Sequence, residues 1–229
     1  MGFRFKGLGM GLVVLLGGSI AVADSAHTAT MRMTVLVNNN ASVSASVLTQ
    51  AEGEATRIFG AAGIEVLWIN CQDKIASTDG VCREAPGANQ FVLHIVPTGK
   101  TSTDLVFGVA FLGQDGSGKY CNVFFDRIEE AHRKLGASTS QMLGTVAAHE
   151  LGHLLLGSHG HSRWGIMEPV WKEESLRQAG MGAFLFTTEQ AKLMKARIER
   201  AERVLVSGDG GLIFDSPLSR RIPFRLQPR

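Results

Sequence analysis

From Met142 to Leu156 the chain carries an apolar run without proline, and His149, Glu150 and His153 stand in the middle of it. Ser138-x-x-Gln141 ahead of the run is a capping-box match, and Gly157 closes it, so the stretch reads as one helix. Val146, Ala147, Ala148, Leu151, Leu154, Leu155 and Leu156 make that helix apolar nearly all round. Such a helix belongs inside a core, with the rest of the chain built around it. Two imidazoles and a carboxylate are then costly to bury unpaired.

A metal ion removes that cost. Residues four apart lie on one helical face, so His149 and His153 can aim at a single point. Neutral imidazole suits Zn²⁺, and two of them leave room in a tetrahedron for a third ligand and a water. Glu150 is offset by one residue. It borders the metal, where it can take a proton from the water and return it to a leaving amine. His159 and His161 follow at once in Gly157-Ser158-His159-Gly160-His161. The cysteines form no C-x-x-C pair and do not read as ligands. Cys71 and Cys82 instead flank a short polar segment whose closure would contribute about 3 kcal/mol on a chain-entropy view. Cys121 is left as a buried thiol.

The remaining pattern gives an α+β fold, a small mixed sheet packed on helices. Strands are expected at Met33–Val37, Ile64–Ile69, Phe91–Val96 and Tyr120–Phe125, with a glycine-punctuated segment at Leu105–Leu112. Val43, Val47, Ala51, Ala55 and Phe59 form a helical stripe ended by Gly60. Lys172–Gln178 reads as a helical turn or two. Thr187-x-x-Gln190 is a second capping-box match, opening a helix to about Val204.

Residues 1–23 read as a secretory leader: Arg4 and Lys6, an apolar stretch from Leu8 to Ile20, then Ala21-Val22-Ala23 before Asp24. The apolar run is short for a membrane span, so no stable membrane insertion is expected once the leader is removed. The chain has 23 basic and 21 acidic residues, and removing Arg4 and Lys6 balances them. No global charge or aromatic-basic array points to nucleic acid. The expected organisation is a leader (1–23), one domain (24–205) and an irregular basic tail (206–229). Location is then periplasmic or extracellular, where disulfides persist.

The stretch Gly144–Trp171 resembles the metzincin-type zinc metallopeptidases, within the zincin fold. His149-Glu150-Leu151-Gly152-His153, a glycine after the helix, a further histidine and Gly165-Ile166-Met167 carry the resemblance. It implies peptide-bond hydrolysis of a peptide or protein substrate, Zn²⁺ as cofactor, Glu150 as general base and Met167 as the methionine-turn residue beneath the metal. The usual metzincin pattern has glycine three residues after the second histidine and the third ligand three further on; here Gly157 comes four after His153. The segment is more similar to small exported bacterial proteins with H-E-L-G-H-L-L-L-G, a spacer, H-S and G-I-M, in which His161-Ser162 would supply the third ligand. His159 keeps the metzincin distance from His153 and is the alternative. His161 has more chain after Gly157 in which to reverse direction, with Gly160 as a permissive joint. Glu173 or Glu174 as third ligand would give a gluzincin-like site. By analogy Tyr120–Phe125 would be the edge strand that pairs with an extended substrate, while Trp164 and Trp171 would pack the loop. A different class of function is also open. If His149, His153, His159 and His161 all close the shell, the zinc is structural and the protein does not turn over.

Overall fold

The computed structural model describes residues 31–72, 80–98, 106–157, 160–181 and 184–207. The leader expected at 1–23 lies outside them, as does the tail from residue 208 onward. Residues 206 and 207 belong to the last helix rather than to the tail.

Strand β1 (Met31–Asn39) lies second in the sheet and organises it. Its alternation turns Met33, Val35 and Val37 to one face, where each is buried to within 1%. Helix α1 (Ala45–Ala61) crosses over that face, capped by Ser44, whose Oγ accepts from the Val47 N–H at 3.4 Å. Leu48, Ala51, Ala55, Ile58 and Phe59 are its buried side, which shifts the expected stripe because Val47 is only half-buried. The chain returns as β2 (Ile64–Asn70), parallel to β1 with Met33 opposite Val66. On the other side β3 (Gln90–Val96) pairs in parallel with β1, Val37 opposite Leu93.

The sheet has five strands in the order β2-β1-β3-β5-β4, and the expected mixed sheet packed on helices is what the chain forms. Strand β4 (Gly108–Phe111) is the only antiparallel member among the described residues, paired with β5 (Tyr120–Phe124) in the register Gly108 to Val123. It arises from the segment expected only to be glycine-punctuated. Its presence also corrects the assignment of an edge. Tyr120–Phe124 is flanked on both sides, by β3 and β4, and the terminal strand next to it is β4.

A helix that the sequence reading did not separate follows directly. α2 (Phe125–Leu135) has Asp126 in its first turn, His132, Arg133 and Lys134 in its last, and the left-handed Gly136 as its C-cap. Those charges complement the helix dipole, and Ile128 and Ala131 anchor it. α3 (Thr139–Leu156) then runs beneath β5 and β4 and against α1. Ser138 caps it, its Oγ accepting from the Gln141 N–H at 3.4 Å. Helices α4 (Glu173–Gly180) and α5 (Thr188–Ser207) pack on α3, with Met194 and Ile198 of α5 in the core. Cys71 and Cys82 form a disulfide with a Cα–Cα distance of 5.7 Å, and Cys121 is a buried free thiol. Among the described residues no helix is long and apolar enough to cross a membrane.

Candidate metal centre

α3 is buried on nearly every side, from Met142 through Leu155. His149 and His153 are its partly exposed exceptions, one turn apart on the same face. Their Nε2 atoms stand 3.2 Å apart. That is close to the edge of a tetrahedron, about 3.3 Å, for ligands bound at zinc–nitrogen distances of about 2.0–2.1 Å. His161, exposed on the loop after the helix, closes the group: its ring centroid lies 4.7 Å from that of His153 and 6.0 Å from that of His149. One ring nitrogen from each of the three lies within 4.8 Å of the others, so the group could hold a metal ion. His159, the alternative third ligand, lies outside the described residues. Glu173 and Glu174 are exposed on α4, paired with Arg177 at 3.4 and 3.6 Å, and do not join the group.

The imidazoles are held in ligand form. His149 Nδ1 is 2.6 Å from the Ile166 carbonyl. A carbonyl can only accept, so Nδ1 carries the proton and the Nε2 lone pair faces His153 and His161. Burial pushes the pKa of His149 down to about 4, against the pull of the Ile166 hydrogen bond. Burial pushes His153 down to about 3, and the neighbouring His149 and His161 add to the shift. His161 is lowered by burial as well. All three are therefore neutral near pH 7, as metal coordination needs. A donor set of three neutral imidazoles fits Zn²⁺.

The Glu150 side chain lies against the edge strand β4. It is 6% exposed, and a Cβ built on Gly108 of β4 would stand 2.7 Å from its Oε1. Only glycine leaves the edge strand room to lie on the carboxylate. Desolvation raises the pKa of Glu150 to about 8. Burial raises the Cys121 thiol far above its ordinary value, and the Glu150 charge adds to the shift.

The segment after the helix folds back beneath it. Gly157 ends α3 at φ 78° and ψ −161°, a backbone region that essentially only glycine enters. Gly165 follows at φ 82°, where a Cβ would strike the Leu185 carbonyl at 2.7 Å. This turn places Met167, fully buried, under α3: its Sδ is 2.9 Å from where a Cβ on Gly152 would lie. Gly152 thus separates the two helical histidines because the methionine and Phe186 occupy the space of a side chain. Trp171 is buried and meets the His149 ring edge-on at 5.4 Å, with Phe184 and Phe107 around it. Trp164, expected to pack the loop, is 66% exposed. Sequence reading did not find Gly108 or the Trp171–His149 contact, because both join segments far apart in the chain.

No family model matches the chain, and no curated protein does. Among solved structures it is similar to the crystal structure of archaemetzincin from Methanopyrus kandleri, with 17% identity and a TM-score of 0.49, over 74% of this chain and 97% of that one. At that level the likeness assigns no residue a role.

Proposed function

We propose that the protein is an exported, zinc-dependent metalloendopeptidase in which His149, His153 and His161 hold the metal and Glu150 is the general base. The observation that carries the reading is a three-histidine group, two members of which lie on the helix that also carries the buried carboxylate of Glu150. A structural zinc site would have no use for Glu150 at that position. When bound there, zinc acts as a Lewis acid and lowers the pKa of a water to about 7. The chain's own residues do the rest. Ile166 fixes the His149 tautomer, Met167 gives the ligands an apolar floor, and the Glu150 carboxylate takes a proton from the attacking water and delivers it to the departing amine nitrogen. An extended peptide would add to the outer edge of β4, which brings its backbone past Gly108 and the carboxylate.

Export is supported by the leader pattern at residues 1–23 and by the Cys71–Cys82 disulfide, a bond that persists in oxidising compartments. The decisive experiment compares wild type with Glu150→Gln. Both should carry about one zinc, and only wild type should cleave members of a broad peptide library. If both bind zinc and neither cleaves anything, the site is structural. If wild type stays metal-free after zinc reconstitution, the metal reading fails.

A further inference from the structure

Gln190 begins in an ordinary role. It closes the capping box at the start of α5: its Oε1 accepts from the Thr187 N–H at 2.9 Å, and its own N–H reaches Thr187 Oγ1 at 3.2 Å. The first of these bonds settles the orientation of the amide, because a backbone N–H requires an acceptor. The NH₂ end is therefore directed away from α5. It donates to the Gly160 carbonyl at 3.1 Å and to Ser162 Oγ at 3.0 Å. The residue between those two acceptors is His161.

Ser162 extends the same network. Its hydroxyl donates to the Trp164 carbonyl at 2.8 Å, and its N–H donates to the Met167 carbonyl at 2.9 Å. The loop that carries His161 is thus tied below to the methionine turn and from the side to α5. Gln190 is 7% exposed, so its bonds are sheltered from competing water, whereas His161 itself is exposed. An exposed imidazole next to a glycine has wide freedom of backbone and rotamer, and a ligand must give that freedom up on binding. A glutamate at 190 would satisfy the capping box equally well. Only the bonds to Gly160 and Ser162 call for an amide.

We propose that Gln190 is a positioning residue for the metal centre, clamping the loop on both sides of His161 so that the third imidazole is already in place before the ion arrives. This rests on the reading of His161 as a ligand. It also gives the serine of His161-Ser162 a reason: its hydroxyl accepts from the clamp and donates onward to the turn.

The test is Gln190→Glu in the full chain, which keeps the capping acceptor and replaces both donors with an acceptor. Zinc affinity is measured by chelator competition, and ligand geometry by the visible spectrum of the cobalt-substituted protein. Gln190→Glu should keep the far-ultraviolet spectrum of wild type, weaken zinc about 10- to 100-fold and alter the cobalt bands. Thr187→Ala, which loses a capping bond and leaves the clamp intact, should lower the Tm without changing zinc affinity. Unchanged affinity and cobalt bands in Gln190→Glu, alongside a large loss in His161→Ala, would overturn the clamp and leave the metal reading standing. No zinc binding by wild type would bring down both. Should Gln190→Glu fail to fold, Ser162→Ala takes its place: a several-fold loss of affinity is expected, and no loss overturns the proposal.

Discussion

Glycine to alanine at two helical positions should move stability in opposite directions. Gly144 lies where α3 crosses α1: a Cβ there would stand 2.4 Å from the Ala51 carbonyl oxygen and 2.8 Å from the Glu54 Cβ. A side chain could rotate away, but a helix carbonyl cannot. Real Cβ atoms are not found within 3.0 Å of such an atom, so the two helices must part by at least ~0.6 Å in a close-packed core. Glu54 is held in place by a bidentate pair with Arg57 at 2.7 and 2.8 Å, which leaves it little room to yield. Overpacking of this kind costs about 1–3 kcal/mol or more, while alanine returns about 1 kcal/mol of helix propensity. We expect Gly144→Ala to lose about 2 kcal/mol net, lowering the Tm by about 4–8 °C for a domain of this size. Gly53 on the exposed side of α1 has nothing within 4 Å of its would-be Cβ. Gly53→Ala should therefore gain about 0.5–1 kcal/mol. Urea and thermal unfolding followed by circular dichroism measure both. A Gly144→Ala protein as stable as wild type would refute the close crossing of α1 and α3.

Three further outcomes are expected. His161→Ala should weaken zinc by orders of magnitude while His159→Ala costs little, measured by chelator competition; the reverse ranking would restore the usual metzincin spacing. Replacing Cys71 and Cys82 with serine should cost about 3 kcal/mol in urea unfolding, and a Cys121→Ser protein should show no free thiol in the unfolded, unreduced state, where wild type shows one. Mass spectrometry of secreted protein should find Asp24, within a few residues, as the N-terminus, and Met1 retained on it would end the leader reading.

What could be read from the sequence divides by distance along the chain. The histidine pair on α3 is legible because its constraints are local: four residues of spacing, a cap at Ser138 and a stop at Gly157 fix it without reference to anything else. The parallel strands were legible for the same reason, through β-branched alternation at Met33–Val37 and Ile64–Ile69. β4 was not. Gly108-Val109-Ala110-Phe111 has a glycine where a strand would want a side chain, and its conformation depends on antiparallel pairing with β5. α2 was hidden by its charge, since only Ile128 and Ala131 bury and no long apolar stripe marks it. Gln190 reads locally as a helix cap, and its second pair of bonds has no local signal, because Gly160 and Ser162 come near only once α5 has packed on α3.

The three imidazoles come from a short span, His149 to His161, and two of them ride on a helix already wedged between α1 and the sheet. Binding an ion across such a span closes a small ring of chain, and the entropy at stake in ring closure grows only with the logarithm of its length. An ion bound there would have little of the fold to organise. Stripping it with a chelator should leave the strands, the helices and the clamped loop at residues 160–165 protected from exchange and proteases. A chain built this way can reach its final shape before any ion is bound.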